Sequence, residues 1–352
     1  MFGVTVGAVA LGLIYLLFPG TFVQLAMTAG QKFESLEDLR RSISARESAD
    51  YAAEGGVSLR AIIRPHQDDK IIYELEPNLT SQFRHVEVRT NSFGMRDLER
   101  PVAKAPDTVR VAILGDSYAF GWGVKQDQIF PRHLEQELAR LVGSEKNIEV
   151  LNFGVPGYST FQEVANFIDK GAQFKPDVVL VYFIHNDFAL PFFIRDLRGT
   201  EGDSLATAFE FRQMQNPPDG TSPDPRRAAL LKALDANRAL LQLSLYCKEH
   251  GIYPFITIHP DEREEKLWPR LWVLRNAPGR DLLKPLKLTN EFRKVSTALA
   301  LPPETLKLEN DTHPGPGTHH VIGKALANLL YPELQRLNLV QAQPHEEPRR
   351  ND

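Results

Sequence analysis

Four runs of this chain are apolar at most positions: 109–114, 148–153, 178–184 and 253–258. A strand covered on both faces reads this way, because neither side of it meets water. Between the first two runs, Ile129 to Leu141 carries Leu134, Leu138 and Leu141 at i, i+4 and i+7, a single apolar stripe suited to a helix lying on a sheet. Strand-like and helix-like segments alternate in this manner through the middle of the chain, which predicts a parallel sheet with helices on both faces and right-handed crossovers. The expected architecture is α/β, a three-layer α/β/α flavodoxin-like fold.

Two stretches break the alternation. Residues 188–225 hold Leu190-Pro191-Phe192-Phe193-Ile194 and the turn-rich Asn216-Pro217-Pro218-Asp219-Gly220, and residues 261–300 hold Trp268 and Trp272 among mixed charges. Both read as insertions into a core domain spanning 107–338, and long insertions of this kind serve as lids, binding loops or surface elaboration. Upstream, residues 57–106 alternate short β-like runs, Ala61-Ile62-Ile63 and His85-Val86-Glu87-Val88, with turns such as Glu76-Pro77-Asn78. They read as a small β-containing lead-in that ends on Thr90-Asn91-Ser92-Phe93-Gly94-Met95-Arg96. The last residues, 339–352, are polar and charged and read as a disordered tail.

The first thirty residues change the picture. No charged side chain precedes Lys32, and Phe2 to Ala29 is mostly apolar, interrupted by Pro19-Gly20. About 20 apolar residues cross a bilayer core as a helix, so residues 1–30 are expected to form a single-pass membrane anchor, with a cleaved signal segment as the alternative. Leu36, Leu39 and Ile43 recur at helical spacing after it, and Gly55-Gly56 closes a stalk over 31–56. Lys32, Arg40 and Arg41 follow the apolar segment and none precedes it, which by the positive-inside rule alone places the following domain in the cytoplasm.

Composition narrows the function classes. The formal net charge of −4 over 352 residues makes no case for nucleic acid. The one cysteine, Cys247, excludes an intrachain disulfide and sits in a helix-like stretch as a packed thiol. There is no HExxH and no paired-cysteine spacing, so no metal site is expected. Gly121-Trp122-Gly123-Val124-Lys125-Gln126 lacks the third glycine of a dinucleotide loop, and no GxxxxGK[ST] occurs, so no cofactor is expected either.

The chemistry-bearing residues lie at the ends of the apolar runs. Val109–Leu114 leads into Gly115-Asp116-Ser117, which alone are ordinary turn residues. Downstream come Asn152-Phe153-Gly154-Val155-Pro156-Gly157, then Ile184-His185-Asn186-Asp187, then Asn310-Asp311-Thr312-His313-Pro314. Each follows or abuts a strand-like run, so all four can meet at one sheet edge. This ordered set resembles the SGNH hydrolases, the GDSL esterase/lipase family, over residues 107–336. The resemblance implies Ser117 as nucleophile, His313 as base and an oxyanion hole made by the Ser117 N–H, the Gly157 N–H and the Asn186 amide. Two departures stand out: the third block has no glycine before Asn186, and Asp311 lies two residues before His313, where Asp-x-x-His is frequent and Asn310 holds the three-residue position.

A serine hydroxyl needs a base within hydrogen-bond reach, and that imidazole needs an acceptor to fix its tautomer. Asp311 is the nearest acid to His313. The resemblance thus implies a serine esterase working through an acyl-enzyme on an ester-bearing small molecule, lipid or acylated glycan. An O-acyltransferase at the same site and a catalytically silent scaffold are the alternatives. Related anchored members face outside the cytoplasm, which opposes the charge rule and favours an extracytoplasmic domain. Among the other histidines, His319 and His320 read as first-turn residues of the last helix, His185 as packed at a strand end, and His259 as the end of another strand.

Overall fold

The computed structural model describes residues 57–341 except 58, 69, 72, 189–234, 262, 277 and 310. The expected anchor over 1–30, the stalk over 31–56, the stretch 189–225 and the tail from 342 therefore lie outside the described residues, as does Asn310. Among the described residues no helix is long and apolar enough to cross a membrane.

Nine short strands are described. β1 (Ile63–Pro65) pairs antiparallel with β2 (Tyr73–Leu75), and β3 (Thr80–Phe83) pairs antiparallel with β4 (Val86–Arg89). The other five form one sheet: β5 (Thr108–Leu114), β6 (Asn147–Asn152), β7 (Val178–Phe183), β8 (Tyr253–Ile258) and β9 (Lys284–Leu286). Their order is β6-β5-β7-β8-β9 and every pairing is parallel. Four of these strands coincide within a residue with the predicted runs. The fifth, β9, falls inside the stretch read as an insertion; Lys284-Pro285-Leu286 is too short and too polar to stand out as a strand, and its pairing with β8 comes from tertiary context.

Alternation along the strands explains the three layers. On β5, Val111 and Ile113 join the core beneath α2 (Phe130–Val142), α5 (Leu288–Leu299) and α6 (Pro316–Arg336). Ala112 and Leu114 point the other way, into the core beneath α3 (Thr160–Asn166) and α4 (Ala236–His250). The predicted stripe holds: Leu134 and Leu138 of α2 are fully buried, and Leu141 packs at the rim. Cys247 is buried in α4, where burial pushes its thiol up to about 12.

The lead-in strands build a third core from Ile62, Tyr73, Leu75, Phe83 and Val88. Phe120, Val155 and Tyr158 belong to this same core, so residues 57–106 pack directly behind the loops that follow β5 and β6. The described residues, within 57–341, belong to one compact unit.

Candidate active site

In a parallel sheet of this order, functional groups gather beyond the carboxyl ends of the strands where the winding direction reverses. Here α2, after β5, and α3, after β6, lie on opposite faces, and the reversal falls around β5. Ser117 follows β5, Gly157 follows β6 and Asn186 follows β7, so three adjacent strands deliver them.

Ser117 opens α1 (Ser117–Phe120), a single turn capped by Asp116, whose Oδ1 accepts the Tyr118 N–H at 3.0 Å. As a first-turn residue, Ser117 has no intrahelical acceptor for its own N–H. The turn is crowded: a Cβ on Gly154 would stand 2.4 Å from the Phe120 nitrogen, so only glycine allows the β6 loop to approach this closely. Asn152, at the end of β6, donates to the Ala119 carbonyl at 3.0 Å and accepts the Gly154 N–H at 3.0 Å.

The loop after α5 returns His313 to this turn. The His313 Nε2 lies 2.9 Å from Ser117 Oγ, and the Nδ1 lies 2.6 Å from Asp311 Oδ1, which also accepts the His313 backbone N–H at 3.0 Å. The short Asp-x-His spacing works because a single carboxylate oxygen serves both the ring and the main chain of the same residue. Burial would raise the Asp311 carboxyl, but the hydrogen bonds from His313 and from Trp122 outweigh it and hold it below its ordinary value.

Asn186 sits on the turn His185–Phe188 and donates through Nδ2 to Asp116 Oδ2 at 2.9 Å. Only the nitrogen end of an amide can face a carboxylate, so this contact fixes the amide's orientation and leaves its second N–H for another acceptor. Asp116 Oδ2 also lies 3.4 Å from Ser117 Oγ, a longer contact than that from His313. Asp116 is fully buried, which raises its carboxyl above the ordinary value against the opposing pull of Asn186, the Tyr118 N–H and His313. Gly157 has φ +79° in the turn Val155–Tyr158, a left-handed position suited to glycine.

Several residues that sequence reasoning did not assign to the site hold it in place. Trp122 donates Nε1–H to Asp311 Oδ2 at 3.0 Å and stacks on the His313 ring, with centroids 5.0 Å apart and planes 15° from parallel. Phe83 meets the Trp122 ring edge-on and the Arg84 guanidinium lies 4.8 Å from its centre, so the turn between β3 and β4 supports the acid–base pair. Arg96, fully buried, donates to the carbonyls of Phe120, Gly121 and Val124 at 2.9, 2.5 and 2.6 Å. It thereby caps the carboxyl end of α1, and the Thr90–Arg96 segment acquires a role; burial lowers its guanidinium to about 9. Tyr73 donates to the Pro156 carbonyl at 2.6 Å while the Tyr158 hydroxyl bonds the Tyr73 carbonyl, so β2 pins the Gly157 turn.

The other histidines are structural with one adjustment. His319 Nδ1 accepts the Phe130 N–H at 3.1 Å inside the core, and His320 stacks on His133. His259 ends β8 and its Nδ1 meets the Tyr182 hydroxyl at 2.7 Å, while its ring lies edge-on to Tyr118. His185, expected to be packed at the strand end, is exposed: the chain has already turned outward after Ile184. Among the described residues no group of three or more histidine, cysteine or acidic side chains is placed to hold a metal ion.

Residues 113–272 match the model of the GDSL-like lipase/acylhydrolase family. No curated protein matches the chain. Among solved structures the chain is similar to a putative lipolytic protein of the G-D-S-L family from Desulfitobacterium hafniense DCB-2, at 14% identity and TM-score 0.39, covering 63% of this chain and 99% of that one. It is similar to the psychrotrophic esterase EstA from Pseudoalteromonas sp., at 14% identity and TM-score 0.39, covering 64% and 98%. A variant of Axe2, an acetyl-xylooligosaccharide esterase from Geobacillus Stearmophilus, is 16% identical with TM-score 0.38, covering 63% and 94%. The family match spans Ser117, Gly157 and Asn186, which three neighbouring strands of one parallel sheet deliver here, and it stops short of Asp311 and His313.

Proposed function

We propose that this protein is a serine ester hydrolase that works through an acyl-enzyme. The observation that carries the reading is the continuous chain Ser117 Oγ, His313 Nε2, His313 Nδ1, Asp311 Oδ1, with links of 2.9 and 2.6 Å. In this reading Ser117 Oγ attacks the ester carbonyl as His313 takes its proton, and Asp311 keeps the ring in the right tautomer and stabilises the imidazolium. The Ser117 and Gly157 N–H groups and the Asn186 amide receive the oxyanion, each donor worth about 2.7–4 kcal/mol by the usual mutational measure. His313 then protonates the departing alcohol, and water, activated in the same way, releases the acid.

The apolar segment 1–30 is, in the same reading, the anchor of an extracytoplasmic domain. Carbonate extraction of membranes should leave the full chain in the pellet and release a chain starting at residue 57; release of both would remove the anchor.

The reaction itself is tested with a fluorophosphonate, which captures a histidine-activated serine. Intact-mass analysis of the folded full chain should show one adduct, on Ser117, lost in Ser117→Ala. A folded protein that takes no label is not a serine hydrolase.

A further inference from the structure

Behind Asn186 lie two carboxyl groups that the mechanism does not use. Asp187 follows Asn186 directly, and Glu163 sits in the first turn of α3; each is 1% exposed. α3 packs against the turn His185–Phe188, and each of the two carboxyls acts on the other through the protein interior. Asp187 spends Oδ2 on the Ile184 N–H at 2.6 Å, which closes the turn that carries Asn186. Neither Glu163 oxygen, nor Asp187 Oδ1, has a partner of ordinary hydrogen-bond geometry among the described residues.

Two ionised carboxylates near one another and away from water repel strongly, and the charges that act most on this pair are each other and Asp116, all of one sign. Tyr158, in front of α3, is fully buried and engages the Tyr73 carbonyl, and Glu74 beyond it is neutralised by Lys170 and Arg64, so neither supplies a positive charge. Thr160, on the same helix turn, adds a neutral hydroxyl that has no hydrogen-bond partner among the described residues, and no positive charge. The donor that the inner oxygens lack is most simply a proton retained by one carboxyl, and burial, which raises both groups well above the ordinary carboxylate range, favours its retention.

We propose that Glu163 and Asp187 share one proton, and that this acid–carboxylate pair is a positioning element that ties the Asn186 turn to the helix following the Gly157 turn. The proposal rests on the esterase reading for its catalytic consequence, because those two turns carry two of the three oxyanion donors. The Ser159 N–H donates to Gln162 Oε1 at 3.3 Å in a capping box that fixes the start of α3, so Glu163 is held one turn behind Gly157. Loss of the proton would leave two repelling carboxylates pushing those donors apart.

The test uses the full chain and three variants. Glu163→Gln replaces the acid proton with a permanent N–H donor; it should keep kcat at neutral pH within about threefold, and the fall in kcat expected of the native protein at high pH should be absent from it. Glu163→Ala and Asp187→Ala should lower kcat by about 10²-fold with KM nearly unchanged. A native-minus-Glu163→Gln infrared difference spectrum should contain the C=O stretch of a protonated carboxyl that shifts on exchange into D₂O. Absence of that band overturns the shared proton, and so does a folded Glu163→Gln as impaired at neutral pH as Glu163→Ala. If the native chain shows neither turnover nor labelling of Ser117, the esterase reading fails separately, and the infrared difference still decides the pair.

Discussion

At the amino ends of the sheet strands, Arg110 is fully buried on β5 and bonds Glu149 at 2.5 Å, the carbonyls of Val102 and Phe174 at 2.8 Å each, and that of Pro101 at 2.6 Å. Beside it, Asp177 takes the Arg110 N–H at 2.8 Å and the Lys104 ammonium at 2.6 Å. At the carboxyl ends, Asp116, Glu163 and Asp187 are buried as deeply, yet the partners of Asp116 and Asp187 are an amide, the Ser117 hydroxyl and main-chain N–H groups, and the Glu163 oxygens have none among the described residues. The same sheet thus pairs its buried carboxyls with cations at one end and gives these three no lysine or arginine partner at the other. A matched pair holds structure and does little else. An unmatched carboxylate orients dipoles around it, as Asp116 does for the Asn186 amide, and such preoriented dipoles are what a developing oxyanion needs.

The comparison predicts that substitutions at the carboxyl end remove activity and spare the fold, whereas those at the amino end do the reverse. The largest effect is expected at Asp311→Asn, which should leave thermal unfolding almost unchanged and lower kcat by as much as about 10⁴-fold through loss of the correct tautomer. Near-native turnover in that variant would reduce the site to a Ser117–His313 dyad. Arg110→Ala comes next, but on stability: stranding Glu149 should cost about 3–5 kcal/mol in denaturant unfolding, while the folded fraction keeps native kcat. Arg110→Met with Glu149→Leu should recover most of that loss, since an apolar pair needs no neutralisation; failure to recover would show that the carbonyl contacts, not the ion pair, dominate.

Asn186→Ala should lower kcat by about 10²–10³-fold with little change in KM, the pattern of a donor used in the transition state. A defect confined to KM would make Asn186 a substrate-binding group. The smallest effect concerns pH. Burial holds His319 down to about 3, against an ordinary value of 6.5, so the unfolded chain takes up a proton that the native protein refuses. Stability is therefore full above about 6.5 and declines as pH falls, by about 2 kcal/mol at pH 5 from this residue. His319→Asn keeps an acceptor for the Phe130 N–H and should flatten the fall in melting temperature between pH 7 and 5. An unchanged slope would assign the acid sensitivity to His259 and His133, both pushed down to about 4 by burial.

Four of the five sheet strands and the packing face of α2 were legible from the order of residues, because burial on both sides of a strand and on one side of a helix leaves a period in the sequence. Ser117 and Asn186 were legible as candidates for a different reason: they stand just past two of those strands, where the chain must turn, whereas Asp311 and His313 follow no strand of the sheet and were singled out by the ordered set of motifs they complete. Trp122, Arg96, Tyr73 and Glu163 were not. Each acts through a partner between 24 and 189 residues away, as Arg96 does on the Phe120 carbonyl and Trp122 on Asp311, and no local period or spacing encodes such a meeting. The lead-in over 57–106 shows the same limit, since its short strands read as an appendage until the common core with Phe120, Val155 and Tyr158 makes it the backing of the site. Sequence alone determined which candidate groups could meet and at which sheet edge. Tertiary structure decided which side chains hold those groups still and which buried carboxyls go without a cationic partner, because both depend on distances between segments that only packing brings together.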